Sequence, residues 1–88
     1  MGSTTYELTA NYDSARSFYG KARVTRYDDG SMTLYSYNTA VAYFVNGELT
    51  KACGQPQSNT TARHMREFAR QLGLPWMSKT ELTALPTR

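Results

Sequence analysis

Thr39-Ala40-Val41-Ala42-Tyr43-Phe44-Val45-Asn46-Gly47-Glu48-Leu49-Thr50-Lys51-Ala52-Cys53 is the stretch that decides the fold. Asn-Gly accepts positive φ at both central positions of a type I′ turn, whose twist matches that of the two strands it joins. Strand formers on either side therefore predict an antiparallel hairpin of 39–45 with 48–53. Val41, Tyr43 and Val45 alternate with Ala40, Ala42 and Phe44, so both faces of the first strand are apolar, which predicts a central position in the sheet.

Upstream, the same two-residue period runs through 21–27 and 32–37. Ala22, Val24, Met32 and Leu34 make one aliphatic face, and Arg23, Thr25, Tyr27, Thr33, Tyr35 and Tyr37 make the other. Asp28-Asp29-Gly30-Ser31 supplies the turn between them, and Tyr37-Asn38-Thr39 reads as a break, bulge or bend. Residues 4–12 are rich in strand formers with weak alternation, an edge strand or a segment lying across the sheet. Asp13 or Ser14 can cap a short helix over 15–19, which Gly20 would end.

Downstream, Gly54-Gln55-Pro56-Gln57 breaks the sheet and the period changes to helical. Thr61, Met65, Phe68, Ala69 and Leu72 form one stripe of a helix over 59–72, with Gly73 and then Pro75 as its stop. Ser78-Lys79-Thr80-Glu81 matches a capping box for a last short helix ending near Leu85-Pro86. The predicted architecture is one small α+β domain over residues 1–88. An antiparallel meander of about four strands carries one main helix on its aliphatic face, in two layers.

Eighty-eight residues hold one modest core and leave little room for an enclosed catalytic cleft. The net charge of +3 and pI near 9.2 favour an anionic partner without requiring nucleic acid. The single cysteine, Cys53, excludes an intramolecular disulfide or a cysteine-based zinc cluster and fits a reducing compartment. No apolar run reaches the ~20 residues of a spanning helix, and the N-terminus shows no signal-peptide core. A cytoplasmic protein without membrane contact is expected.

The start of the main helix is the richest chemical cluster. Ser58, Thr60, Thr61, Arg63 and His64 combine hydroxyls, a guanidinium and an imidazole with the free N–H groups of a helix N-terminus, which suits an oxyanion or phosphate. His64 is placed at the boundary between the stripe and solvent, and the competing reading is an ordinary N-cap, an exposed arginine and a histidine packed against the sheet. Arg66 and Arg70, with Arg23, Tyr35 and Tyr37, form a second candidate, a basic-aromatic surface suited to stacking on bases and pairing with phosphates; the competing and favoured reading is a solvated helix face with tyrosines covering a sheet that faces water. Catalysis has little support, because one His without a Cys partner or nucleophile turn gives no triad, and Asp28 and Asp29 read as turn formers. Glu67, three residues after His64, can orient the imidazole. No metal set and no cofactor are predicted. Trp76 reads as a plug closing one end of the core, or else as an exposed protein-contact anchor.

Four runs in order carry a resemblance: Asn11-Tyr12-Asp13, Ser17-Phe18-Tyr19-Gly20-Lys21-Ala22, Leu34 to Ala42 (LYSYNTAVA), and Ser58 to His64 (SNTTARH). Over about residues 10–72 the chain resembles a family of small uncharacterised proteins carried by bacteriophages and other mobile elements; the tail from Leu74 lies outside the match. That resemblance implies a small viral protein that binds a host factor or a defence component, as an anti-CRISPR inhibitor does. The resulting expectation is a non-enzymatic anti-defence or host-modulating protein that binds a nucleotide or a nucleic-acid-handling effector at 58–64. The alternatives are an inhibitor or assembly subunit acting through a protein surface, and a plain nucleic-acid-binding module. A sheet with an exposed edge also allows a homodimer.

Overall fold

The computed structural model describes residues 2–9 and 21–88. Five strands, β1 (Ser3–Glu7), β2 (Ala22–Tyr27), β3 (Met32–Ser36), β4 (Thr39–Val45) and β5 (Glu48–Lys51), are followed by helices α1 (Asn59–Gln71) and α2 (Lys79–Thr83). The strands form one antiparallel sheet in the order β1-β2-β3-β4-β5. The α+β class is thus as expected, with five strands rather than four, because residues 3–7 pair along their whole length with β2. The short helix expected over 15–19 lies outside the described residues.

Asn46 and Gly47 both adopt positive φ, as the β4–β5 turn requires. The Tyr37-Asn38-Thr39 break is a second tight turn. Ser36 pairs with Thr39, and Tyr37 and Asn38 between them adopt φ of 55° and 82°. A tyrosine in that left-handed region is costly, since its Cβ crowds the backbone. The register shifts between Leu34 and Tyr35, which pair with Ala42 and Ala40 respectively. Val41 is the extra residue on β4, and this bulge lets both Val41 and Ala42 reach the core.

The aliphatic face of the sheet packs under α1 as expected. Ala22, Val24, Leu34, Val41, Ala42 and Leu49 meet Ala62, Met65, Phe68 and Ala69, with Leu8 and Leu82 completing the cluster. Each fully buried large side chain here, such as Leu34 or Phe68, contributes about 1.5–3 kcal/mol. Gly73 has φ of 86° and follows Leu72 at the helix end, and the Ser78 capping box is formed.

Among the described residues no helix lies on the opposite face, yet it is not bare. Thr5, Thr25, Thr33, Tyr43 and Thr50 lie side by side across all five strands. Thr25, Thr33 and Thr50 are buried. Tyr27 and Tyr35, two positions to either side of the Thr25–Thr33 pair, lean over it closely enough for their phenols to interact. Burial first, and then Tyr27, push the Tyr35 phenol above its ordinary pKa.

The chain's last residues join the far edge of this sheet. Lys51 donates its amide to Pro86 and accepts from the amide of Arg88, so that Thr87 bridges to it in parallel. Trp76 is not the expected core plug. It is 57% exposed, with the Arg66 guanidinium 4.7 Å from its ring centroid. Leu74, Met77 and Leu85 pack against the core from that region instead.

Candidate functional site

Five side chains at the start of α1 make up the sequence-predicted anion site, and the structure divides them. Ser58 is the N-cap. Its Oγ accepts from the Thr61 amide at 3.1 Å and donates to Thr61 Oγ1 at 3.2 Å. Both hydroxyls therefore hold each other and the helix start, and Thr61 is buried. Arg63 is exposed and Thr60 half-buried. Among the described residues, nothing bonds the amides of Asn59 and Thr60, and no acidic side chain occupies the first turn. The positive end of the helix is thus open to an anion.

His64 is not at the boundary of the buried stripe but fully inside it. Adjacent helix positions are ~100° apart, so His64 turns inward as Arg63 turns outward. Its Nδ1 shares a 2.7 Å hydrogen bond with Ser36 Oγ, also buried, at the end of β3. The Tyr37 ring lies 5.9 Å from the imidazole, tilted by 42°, and remains 54% exposed. The strained Tyr37-Asn38 turn is therefore clamped against the second turn of α1 through Ser36 and His64. On its other side, Arg23 donates to Asn38 Oδ1. The turn links the helix layer to the opposite face of the sheet.

Glu67 is buried and accepts from Gln71 Nε2 at 2.6 Å, while that same amide also donates to the Thr9 carbonyl at 2.6 Å. Ser36 on β3 and His64 and Glu67 on α1 are thus buried polar groups, and the exposed Gln71 leads from Glu67 to the surface. The spacing of Glu67 three residues after His64 is legible in the sequence, but Ser36 had no sequence signal beyond its place in a strand.

The expected basic-aromatic surface is not one surface. Arg23 and Tyr35 sit opposite each other on the sheet face away from α1, with Tyr27 and Tyr43 nearby. Arg66 and Arg70 belong to α1, on the other layer, and Tyr37 stands at the junction. Arg66 is committed to Trp76 and to the Met77 carbonyl. The reason is geometric: α1 packs on the face formed by Ala22, Val24 and Leu34, and strand alternation turns Arg23 and Tyr35 to the other face.

Among the described residues no group of three or more His, Cys, Asp or Glu is placed to hold a metal, and no helix is long and apolar enough to cross a membrane. Neither a curated protein nor a solved structure matches the chain. The model of one family of unknown function matches residues 6–84, nearly all of the sheet and both helices. The chain belongs to that family, DUF8033.

Proposed function

We propose that the protein is a non-enzymatic binding protein of the bacteriophage type that recognises a phosphate-bearing ligand where the Tyr37-Asn38 turn meets the start of α1. The observation that supports it is Tyr37. A large aromatic residue is held in a left-handed backbone conformation, over half exposed, directly above a buried Ser36–His64 pair. Strain of this kind persists where the surroundings enforce it, and it clusters at ligand sites. Tyr37 offers a ring for a base to stack on. Asn59 and Thr60 offer unpaired amides, and Arg63 offers an exposed guanidinium to a phosphate. Thr61, Ser58 and His64 hold these groups in place rather than meeting the ligand. Acting in the host cytoplasm, such a protein would sequester a nucleotide signal or block a nucleic-acid-handling effector of a defence system.

A thermal-shift screen with nucleotides, cyclic oligonucleotides and short single- and double-stranded oligonucleotides tests this. A ligand at a hundredfold excess over its Kd stabilises by about 2.7 kcal/mol. Arg63→Ala and Tyr37→Ala should each abolish the shift with the fold intact. No shift with any of these anions refutes the proposal. A second reading has its own observation: exposed Trp76, preset by Arg66, has the character of a protein-contact anchor. A protein-directed inhibitor would tolerate Arg63→Ala and fail on Trp76→Ala.

A further inference from the structure

Trp76 is the single tryptophan of the chain and stands more than half exposed between α1 and α2. The Arg66 guanidinium lies over one side of its ring, and the Arg66 Nε–H donates to the Met77 carbonyl. These two contacts fix the plane of the guanidinium. Among the described residues, no other contact engages its two terminal amino groups. A guanidinium held in this way presents them as a fork, the geometry that receives a phosphate through two parallel hydrogen bonds. With Arg66 on one side, an indole so exposed keeps its other side open for a flat ring to stack on.

The helix joins this unit to the Tyr37 turn. Successive helix positions are ~100° apart. His64, against which Tyr37 rests, and Arg66, against which Trp76 rests, therefore face opposite flanks of α1. Arg63 lies between them on the solvent side. The two exposed rings thus stand on either side of the helix, with two arginines across the ridge. Glu67, the single acid of α1, is buried, so the charge that the ridge presents is of one sign. From Thr60 to Arg66 the axis rises ~9 Å.

We propose that the phosphate-bearing ligand is a single-stranded nucleic acid that crosses α1, one base stacked on Tyr37 and another on Trp76, with the phosphates between them on Arg63 and Arg66. This rests on the phosphate site proposed above and narrows its ligand from a nucleotide to a strand. A mononucleotide has one base and fills one ring only. A duplex keeps the faces of its bases inside its own stack. An acidic protein surface can meet the arginines but has no flat ring tied to each charge. Ring, cation, cation, ring is the order that Tyr37, Arg63, Arg66 and Trp76 present, and it matches the base-and-phosphate repeat of a strand.

Indole fluorescence reads the stack directly, since Trp76 is its single source. An oligothymidylate of about eight nucleotides, within the ~4–16 usual for such sites, should quench it, with oligouridylate run beside it to tell DNA from RNA. Thymidine monophosphate should leave the indole unquenched and bind at least about tenfold more weakly, lacking the second stacked base. Trp76→Ala should weaken the strand about 5- to 100-fold by fluorescence anisotropy, with monophosphate binding and the circular dichroism spectrum unchanged. Arg66→Gln should lower the slope of log affinity against log salt by about 0.7, the share of one phosphate on a single strand, whereas Trp76→Ala should keep that slope. A strand that binds with the indole unquenched, binds no more tightly than the monophosphate, or binds no better than a duplex of the same length overturns the crossing and leaves the Tyr37 site standing. If neither monophosphate nor strand binds, the site itself falls and the crossing strand with it.

Discussion

Replacing Ser36 with Ala tests the buried contact that supports the candidate site. Serine and alanine differ by one oxygen, so almost no cavity is made and packing is left alone. What is lost is the 2.7 Å bond to His64 Nδ1, with both partners fully or almost fully buried. Removing one partner of a buried hydrogen bond costs about 1–3 kcal/mol, more than the bond's net worth, because the other partner loses it without regaining water. For a domain of this size each kcal/mol moves the melting temperature by about 4–8 °C. Ser36→Ala should then melt roughly 8–16 °C lower for a mid-range loss of about 2 kcal/mol, read by circular dichroism. His64→Leu should also destabilise. The double variant Ser36→Ala/His64→Leu should lose clearly less than the sum, since two apolar groups replace a polar pair. A drop below about 2 °C for Ser36→Ala, or strict additivity in the cycle, would refute the claim that this pair clamps the turn to the helix.

Three further outcomes are expected. Ser58→Ala removes the N-cap of α1 and should cost about 1 kcal/mol, measured by urea unfolding, with no change in secondary structure. Gly47→Ala places a Cβ at φ of 77° in the β4–β5 turn with open space around it, so strain alone should destabilise, by roughly 1 kcal/mol, whereas Gly2→Ala should be silent. Asp29 Oδ1 accepts from both the amide and hydroxyl of Ser31, first the hydroxyl and then the amide holding its carboxyl below the ordinary value of 3.8. A folded-state pKa below the unfolded one means that this turn's contribution is complete above the ordinary carboxylate range and fades as pH falls through the lowered value. Ser31→Ala should raise the Asp29 titration midpoint, followed by carbon-detected NMR.

Local chemistry made the hairpins and both helices readable. Asn46-Gly47, Gly73 and the Ser78–Glu81 box each satisfy a backbone requirement within a few residues, and those requirements do not depend on the rest of the fold. The Tyr37-Asn38 turn was not readable as a turn, because neither residue is glycine and its left-handed geometry is imposed by tertiary contacts on both sides. The bulge at Val41 escaped for a related reason. Strict alternation puts Val41 on the face opposite Ala42, and only the pairing with β3 shows that both are buried. Trp76 misled by composition: a small core can use an indole, but Leu74, Met77 and Leu85 fill that space and Arg66 claims the ring from outside.

The candidate site follows the same division. Capping by Ser58 was legible because it is local, while the fate of His64 depended on which strand end lies across from the second turn of α1. That dependence bears on function. A histidine facing Ser36 cannot also face an anion at the helix N-terminus, so the charge available there falls to Arg63 and the free amides. Tyr37 replaces His64 as the ring a ligand would meet. A binding assay thus separates two arrangements of the same residues. If His64 met the ligand directly, His64→Gln would abolish binding at unchanged stability. If it acts as the clamp described, binding and melting temperature should fall together, and Tyr37→Phe, which keeps the ring, should keep the affinity.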